Sequence, residues 1–184
     1  RSTIAKDSKR MIKQGSTPSF FRAIYQTLIA DEELMRLLTY LPQGYDKNGN
    51  YNELDPLDEK LPNLVDTESE DYWKLVDERL VLGEKTSDLL ESKLCKIYIY
   101  EGRRRPVFKS YLVAKQEVNI DIFIHESFDR DLRVTRISDR INELVALEHI
   151  AGFGKFEYVA GNPREAPTHY RRFLHQFTMT VSKK

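Results

Sequence analysis

The stretch VNIDIFIHESFDRDLRVTRISDRINELV, from Val118 to Val145, changes its hydrophobic period halfway along. In the first half Val118, Ile120, Ile122 and Ile124 alternate with Asn119, Asp121, Phe123 and His125. Alternation at period two is the pattern of a strand with one buried face. In the second half Val134, Ile137, Ile141, Leu144 and Val145 recur every three or four positions. Arg133, Arg136, Asp139, Arg140 and Glu143 fall around the opposite side. That is an amphipathic helix. A half-apolar strand followed at once by a half-apolar helix has a simple solution, in which the helix stripe covers the strand face. This pairing commits the chain to a sheet with a helix on it, and no catalytic motif lies between the two halves.

The remaining elements are read around this unit. Thr17-Pro18 is a helix start, with Thr able to cap free amides and Pro pre-set for the first helical position. Phe20, Phe21, Ile24, Tyr25 and Leu28 follow at helical spacing. Asp31, Glu32 and Glu33 open a second short helix carrying Leu34, Met35, Leu37, Leu38 and Leu41, which Pro42 and Gly44 end. Residues 45–71 are rich in acids, Asn, Gly and Pro and read as loop, longer than compact domains usually carry. A helix is expected from Tyr72 to Leu82, with Tyr72, Trp73, Val76 and Leu80 on one side and Gly83 closing it. Strands are expected at Leu94–Tyr100, Phe108–Ala114 and Gln116–Glu126. The run from Glu101 to Val107, EGRRRPV, reads as the turn joining the first two. FGKFEYVAG and HYRRFLHQFTMTV supply two further strands.

The fold class is therefore α+β: a mostly antiparallel sheet of about four strands, with helices packed on one face and an acidic loop and helix inserted. Residues 1–16 are expected to be a flexible N-terminal arm. Residues 17–184 form a single domain with an insertion at about 45–93. The expected core includes Phe20, Ile24, Leu28, Val118, Ile120, Ile122, Ile124, Ile137, Ile141 and Leu144.

Charge narrows the function classes. The 184 residues carry 29 basic and 29 acidic side chains, so no global field draws the chain to nucleic acid or anionic lipid. The distribution is uneven: residues 46–91 hold nine more acids than bases, and both flanks are mildly basic. Cys95 is the single cysteine, which excludes an intramolecular disulfide and a cysteine-rich metal site. A reducing cytosol is the simplest home for it. No apolar run approaches the roughly 20 residues of a membrane span, and the N-terminus lacks the apolar centre of a signal peptide.

A search for chemistry returns little. His125, His149, His169 and His175 have no metal-ligand spacing, and AGFGKF lacks the length and hydroxyl of a phosphate-binding loop. Neither a cofactor nor a metal is expected. One acid-based arrangement is possible by spacing: Asp121 with Glu101 or Glu117 and Lys109 or Lys115, in the manner of a metal-dependent nuclease. Arg103, Arg104 and Arg105 form a basic cluster open to three readings: a solvated hairpin tip, a subunit contact, or a contact to DNA in a lumen.

The order of these elements resembles the tail terminator, or tail-completion, proteins of long-tailed bacteriophages. The matching parts are TPSFFRAIYQTLIADEELMRLL, SYLVAKQEVNIDIFIHES, RVTRISDRINELV and HYRRFLHQFTMTV, covering roughly residues 17–44 and 94–182. The resemblance implies a non-enzymatic virion protein of the tail or neck, assembled in the host cytoplasm. It implies a ring, of six copies, that caps the tail tube, stops its polymerisation and joins it to the head connector. The implied partners are further copies of the chain, the tail tube protein and the connector or stopper protein. Genomic DNA would pass through without sequence-specific binding, and no membrane is involved. A head-completion or stopper protein of the same neck is the alternative, with a metal-dependent nuclease or a nucleic-acid-binding module further behind. The long segment from Ser110 to Glu126 would reach beyond its own domain.

Overall fold

The structure, a computed structural model, describes residues 16–84, 93–107, 110–148, 150 and 155–182. Residues 1–15 of the arm expected at 1–16, most of AGFGKF, Lys109 and His149 lie outside the described residues, and Ser16 belongs to the first helix.

Among the described residues four helices and seven strands follow in the order α1 (Ser16–Ile29), α2 (Glu32–Thr39), β1 (Gly44–Tyr45), β2 (Tyr51–Asn52), α3 (Glu70–Arg79), β3 (Leu80–Leu82), β4 (Cys95–Val107), β5 (Ser110–His125), α4 (Arg133–Val145), β6 (Glu157–Arg164) and β7 (Tyr170–Ser182). The α+β architecture is as expected. The main sheet is larger, however, with five strands in the order β3-β4-β5-β7-β6, and β1 and β2 form a separate two-stranded sheet. All neighbours in the main sheet are antiparallel except β3 and β4, which are parallel and make the sheet mixed.

β5 is the axis. It pairs with β4 on one side and, from Val113 to His125, with β7 on the other. Its length therefore serves as the centre of the sheet rather than as an extension beyond the domain. Val118, Ile120, Ile122 and Ile124 are fully buried beneath the helices, beside Ile97 and Ile99 of β4 and Phe177, Met179 and Val181 of β7. Phe20, Ile24 and Leu28 of α1 and Ile137 and Ile141 of α4 close the same core. Leu144 is partly buried and packs against it.

Asp31 shows how the helices lock together. Its side chain accepts from the backbone N–H of Leu34 at 2.8 Å, capping α2. It also holds Arg140 of α4 through two bonds, 2.9 and 2.5 Å. One carboxylate thus satisfies a helix start and pins the helix above it.

Five sequence expectations need correction. Helix α1 starts at Ser16, so Thr17 lies within it rather than capping it. The helix expected to reach Leu82 stops at Arg79. Leu80-Val81-Leu82 then turn extended and pair with Ile97–Ile99, a parallel partner distant in sequence overriding local pattern. Trp73 points outward and is 42% exposed, because α3 buries Tyr72 and Val76 instead. The segment Glu101–Val107 is no turn but the second half of β4, and the arginines within it pair in register with β5. Arg133, expected on the solvent side of α4, is completely buried. It donates to the carbonyls of Leu37 and Tyr40 at the end of α2 and to Asp131 at 2.9 Å. A charged side chain can lie there because orphan helix carbonyls and a carboxylate occupy its donors.

The segment between α2 and α3 is largely irregular but tied down. Asp46 accepts from the backbone N–H groups of Asn48 and Asn50, both at 2.8 Å, and shapes the β1–β2 turn. Arg36 donates to the carbonyls of Asp58 and Leu61, each at 2.7 Å, and Arg136 grips Asp55 through two bonds of 2.7 and 2.9 Å. Helix arginines thus hold this segment by its backbone carbonyls and, at Asp55, by a carboxylate. Tyr72 of α3 bonds to the carbonyl of Ile29 at 2.8 Å, joining the segment's far end to α1.

Candidate assembly surfaces

The residues proposed for chemistry do not converge. Asp121 is 1% exposed, and both its oxygens are occupied. Arg172 reaches it at 2.6 and 3.0 Å and Tyr100 donates to it at 3.2 Å. The guanidinium of Arg172 also stacks over Phe123 at 5.0 Å. Burial, and next the neighbouring Asp121, push the Tyr100 hydroxyl up to about 12, so it stays a neutral donor. Glu101 opposes Val118 and points to the helix side of the sheet, away from Asp121. Glu117 accepts from Gln176 at 2.8 Å, and Lys115 pairs with Glu157 at 2.7 Å. Asp121 is therefore the anchor of a cross-strand clamp.

The described histidines make local contacts. The Nδ1 of His125 meets the Ser127 hydroxyl at 2.8 Å, and burial holds its pKa below the ordinary value. His169 lies 3.1 Å from Glu126, which Lys47 also reaches at 2.5 Å. His175 is 1% exposed beneath α4. Its Nδ1 meets the Tyr158 hydroxyl at 3.2 Å, while its Nε2 has no partner in the described structure. Among the described residues no group of three or more His, Cys, Asp or Glu is arranged to hold a metal. No helix among them is long and apolar enough to cross a membrane.

What the structure does offer is open surface. β3 covers β4 only at Ile97–Ile99, with Gly83 adding one bond to the Ile99 carbonyl at 2.9 Å. Beyond Tyr100 the outer edge of β4 has no partner strand among the described residues. A bulge between Glu101 and Arg104 bends this edge. Gly102 sits at the bend, where an added Cβ would collide with the side chain of Glu117. Arg103, Arg104 and Arg105 follow. All three are exposed, and none makes a salt bridge among the described residues. Pro106 removes a backbone donor from the same edge. Arg103, Arg105, Lys115 and Arg164 rim one groove on the sheet face turned away from the helices.

A second surface is the outer side of α3. Glu70, Asp71, Asp77 and Glu78 are exposed there around Trp73, whose indole N–H is fixed to the Thr67 carbonyl at 2.9 Å. A third is the β1–β2 hairpin, where Tyr45 and Tyr51 stack at 4.8 Å and both stand exposed over a recess of about 650 Å³. The sequence marked the arginines of the first surface and, for the second, only the acidity of residues 46–91. Trp73 was missed because its neighbours Tyr72 and Val76 suggested that the whole apolar set faced inward. The tyrosine pair was missed because it lies in a segment without periodicity.

The YomW family matches residues 31–180 of the chain, most of its length and every strand of the main sheet. The chain belongs to the YomW family. It is 30% identical over 168 residues to the SPbeta prophage-derived protein YomW of Bacillus subtilis (strain 168), covering 87% of this chain and 94% of that protein. Among solved structures, a chain from the virion of a native gene transfer agent particle has the same fold. The TM-score is 0.52 at 12% identity, over 92% of this YomW-family chain and 99% of the other.

Proposed function

We propose that this protein is a structural component of a long-tailed bacteriophage virion. We propose further that it is a tail terminator, whose copies form a ring of six on the head-proximal end of the tail tube. The observation that carries the virion role is the fold shared along nearly its whole length with a chain of the gene transfer agent virion, and the terminator role is supported by the order of elements. The prophage origin of the Bacillus subtilis relative supports it. In this role the ring halts tube polymerisation, meets the connector on its other side and lets DNA pass without reading its sequence. The protein acts by contact, with no bond made or broken; Asp121, committed to Arg172 and Tyr100, has no free oxygen to offer a reaction.

A closed ring needs one surface to meet a different surface on the next copy. The open edge of β4, the outer side of α3 and the exposed tyrosine hairpin supply candidates for such joints and for docking to tube and connector. The acidic segment at 45–93 serves as a docking face.

Negative-stain microscopy of the purified protein tests this reading. Rings as wide as a tail tube are expected, and a lysogen lacking the gene should release tubes of uncontrolled length without joined heads. A strictly monomeric protein that turns over a substrate would overturn it, as would normal joined particles from the deletion strain.

A further inference from the structure

Overall neutrality conceals two unpaired charged surfaces on opposite parts of this chain. Residues 46–91 hold nine more acids than bases. One of these acids, Asp55, is spent inside the fold on Arg136. Glu70, Asp77 and Glu78 on α3 are not: they are exposed and make no salt bridge among the described residues. In their midst stands Trp73, held edge-on to Tyr72 at 5.1 Å and tethered by its indole N–H. An indole fixed in place before binding gives up little freedom when it is covered, which is the property of residues that dominate interfaces. At the far end of β4 stand Arg103, Arg104 and Arg105, also exposed and without salt bridges among the described residues.

Among the described residues no salt bridge joins these surfaces within one molecule. Helix α3 ends at Arg79, immediately before Leu80, which pairs with Ile97. Arg104 lies seven positions further along β4, about 20 Å at the rise of an extended strand. They do complement each other between molecules. Arginine is suited to both halves of the α3 surface, because its planar head stacks on an indole and bonds carboxylates at its edge.

We infer that the open basic edge of β4 in one copy seats on the Trp73 face of α3 in the next. This inference rests on the ring reading and names its joint. The contact joins unlike surfaces, so its repetition either closes a ring or runs on as a filament. Because its ion pairs are exposed at the rim, assembly weakens as salt rises.

The test uses two charge-reversed chains, Arg103→Glu/Arg104→Glu/Arg105→Glu and Glu70→Lys/Asp77→Lys/Glu78→Lys, with thermal unfolding to verify that each folds. Mass photometry should find each reversed chain monomeric at concentrations roughly 100-fold above those at which the native chain assembles. An equimolar mixture of the two should pair. Trp73→Ala, which changes no charge, should weaken assembly roughly tenfold or more. If both reversed chains assemble like the native protein, the joint is overturned while the ring stands. A native chain that stays monomeric at the highest attainable concentration also overturns the joint. So does an arginine-reversed chain that assembles normally but loses affinity for a DNA oligonucleotide, since the arginines would then serve nucleic acid.

Discussion

Two arginine triplets in this chain carry the same charge and have opposite fates. Arg133, Arg136 and Arg140 on α4 are spent inside the molecule, on the end of α2, on Asp55 and on Asp31. Arg103, Arg104 and Arg105 on β4 are spent on nothing among the described residues. The first set holds helices and the acidic segment onto the sheet; the second is available to a partner. A guanidinium stabilises a fold only where carboxylates or orphan carbonyls already wait for it. Exposed on a strand edge, it instead discourages unwanted pairing and keeps its charge for recognition. The comparison predicts that the triplets separate cleanly, one altering stability and the other altering association.

The largest effect is expected at Arg133. Replacing it with Ala leaves two carbonyls at the end of α2 without their donor and takes one partner from Asp131. Removing one member of a buried charge network typically destabilises by about 3 to 5 kcal/mol. Urea unfolding of Arg133→Ala should register a loss of that order; a loss below about 1 kcal/mol would break the comparison at its strongest point.

Arg133 also marks where the sequence stops being legible. Its position among polar residues of an amphipathic pattern placed it in solvent. Beyond Asp131, its acceptors are carbonyls 96 and 93 positions earlier, and nothing local announces those. By contrast, the buried Ile face of β5 and the α4 stripe depend only on each segment's own period, so they were readable. The β4 arginines were marked as a cluster but given the wrong backbone. Gly-Arg-Arg-Arg-Pro has weak strand propensity, yet pairing with β5 extends it. β3 was hidden because three residues cannot display a period, and its strand character comes from β4. Most of the sheet was thus visible, whereas the surfaces proposed for assembly depended on distant contacts.

His175 extends the comparison to a buried basic group with no counter-ion in contact. Burial pushes its pKa down to about 4, with Asp139 on α4 pulling only weakly the other way and the Tyr158 hydroxyl of β6 beside it. The folded state thus favours the neutral ring. Its contribution is fully present above the ordinary value near 6.5 and is lost as pH falls through about 4. Over that window the native protein should lose up to about 3 kcal/mol that His175→Gln does not lose. Parallel stability curves for the two proteins between pH 7 and pH 4 would remove this account.

Asp31 probes a milder internal contact. Asp31→Ala takes away the cap on Leu34 and the partner of Arg140 together, but Arg140 keeps Glu143 at 2.8 Å and Glu33 at 3.3 Å. A loss of about 1 to 2 kcal/mol is expected, most of it from the cap. Combining Asp31→Ala with Arg140→Ala should cost less than the sum of the single changes, because both act on one contact.

The smallest effect on stability belongs to the other triplet. Arg103→Ala/Arg104→Ala/Arg105→Ala removes side chains that are exposed and make no salt bridge among the described residues, so the unfolding midpoint in urea should move by no more than about 0.5 kcal/mol. Adding salt should leave that small difference unchanged, since no internal pair is there to be screened. A loss comparable to that at Arg133 would mean that these arginines too are spent within the fold. The contrast between a triplet that builds the molecule and a triplet that faces outward would then disappear, and the joint inferred from it would lose its footing.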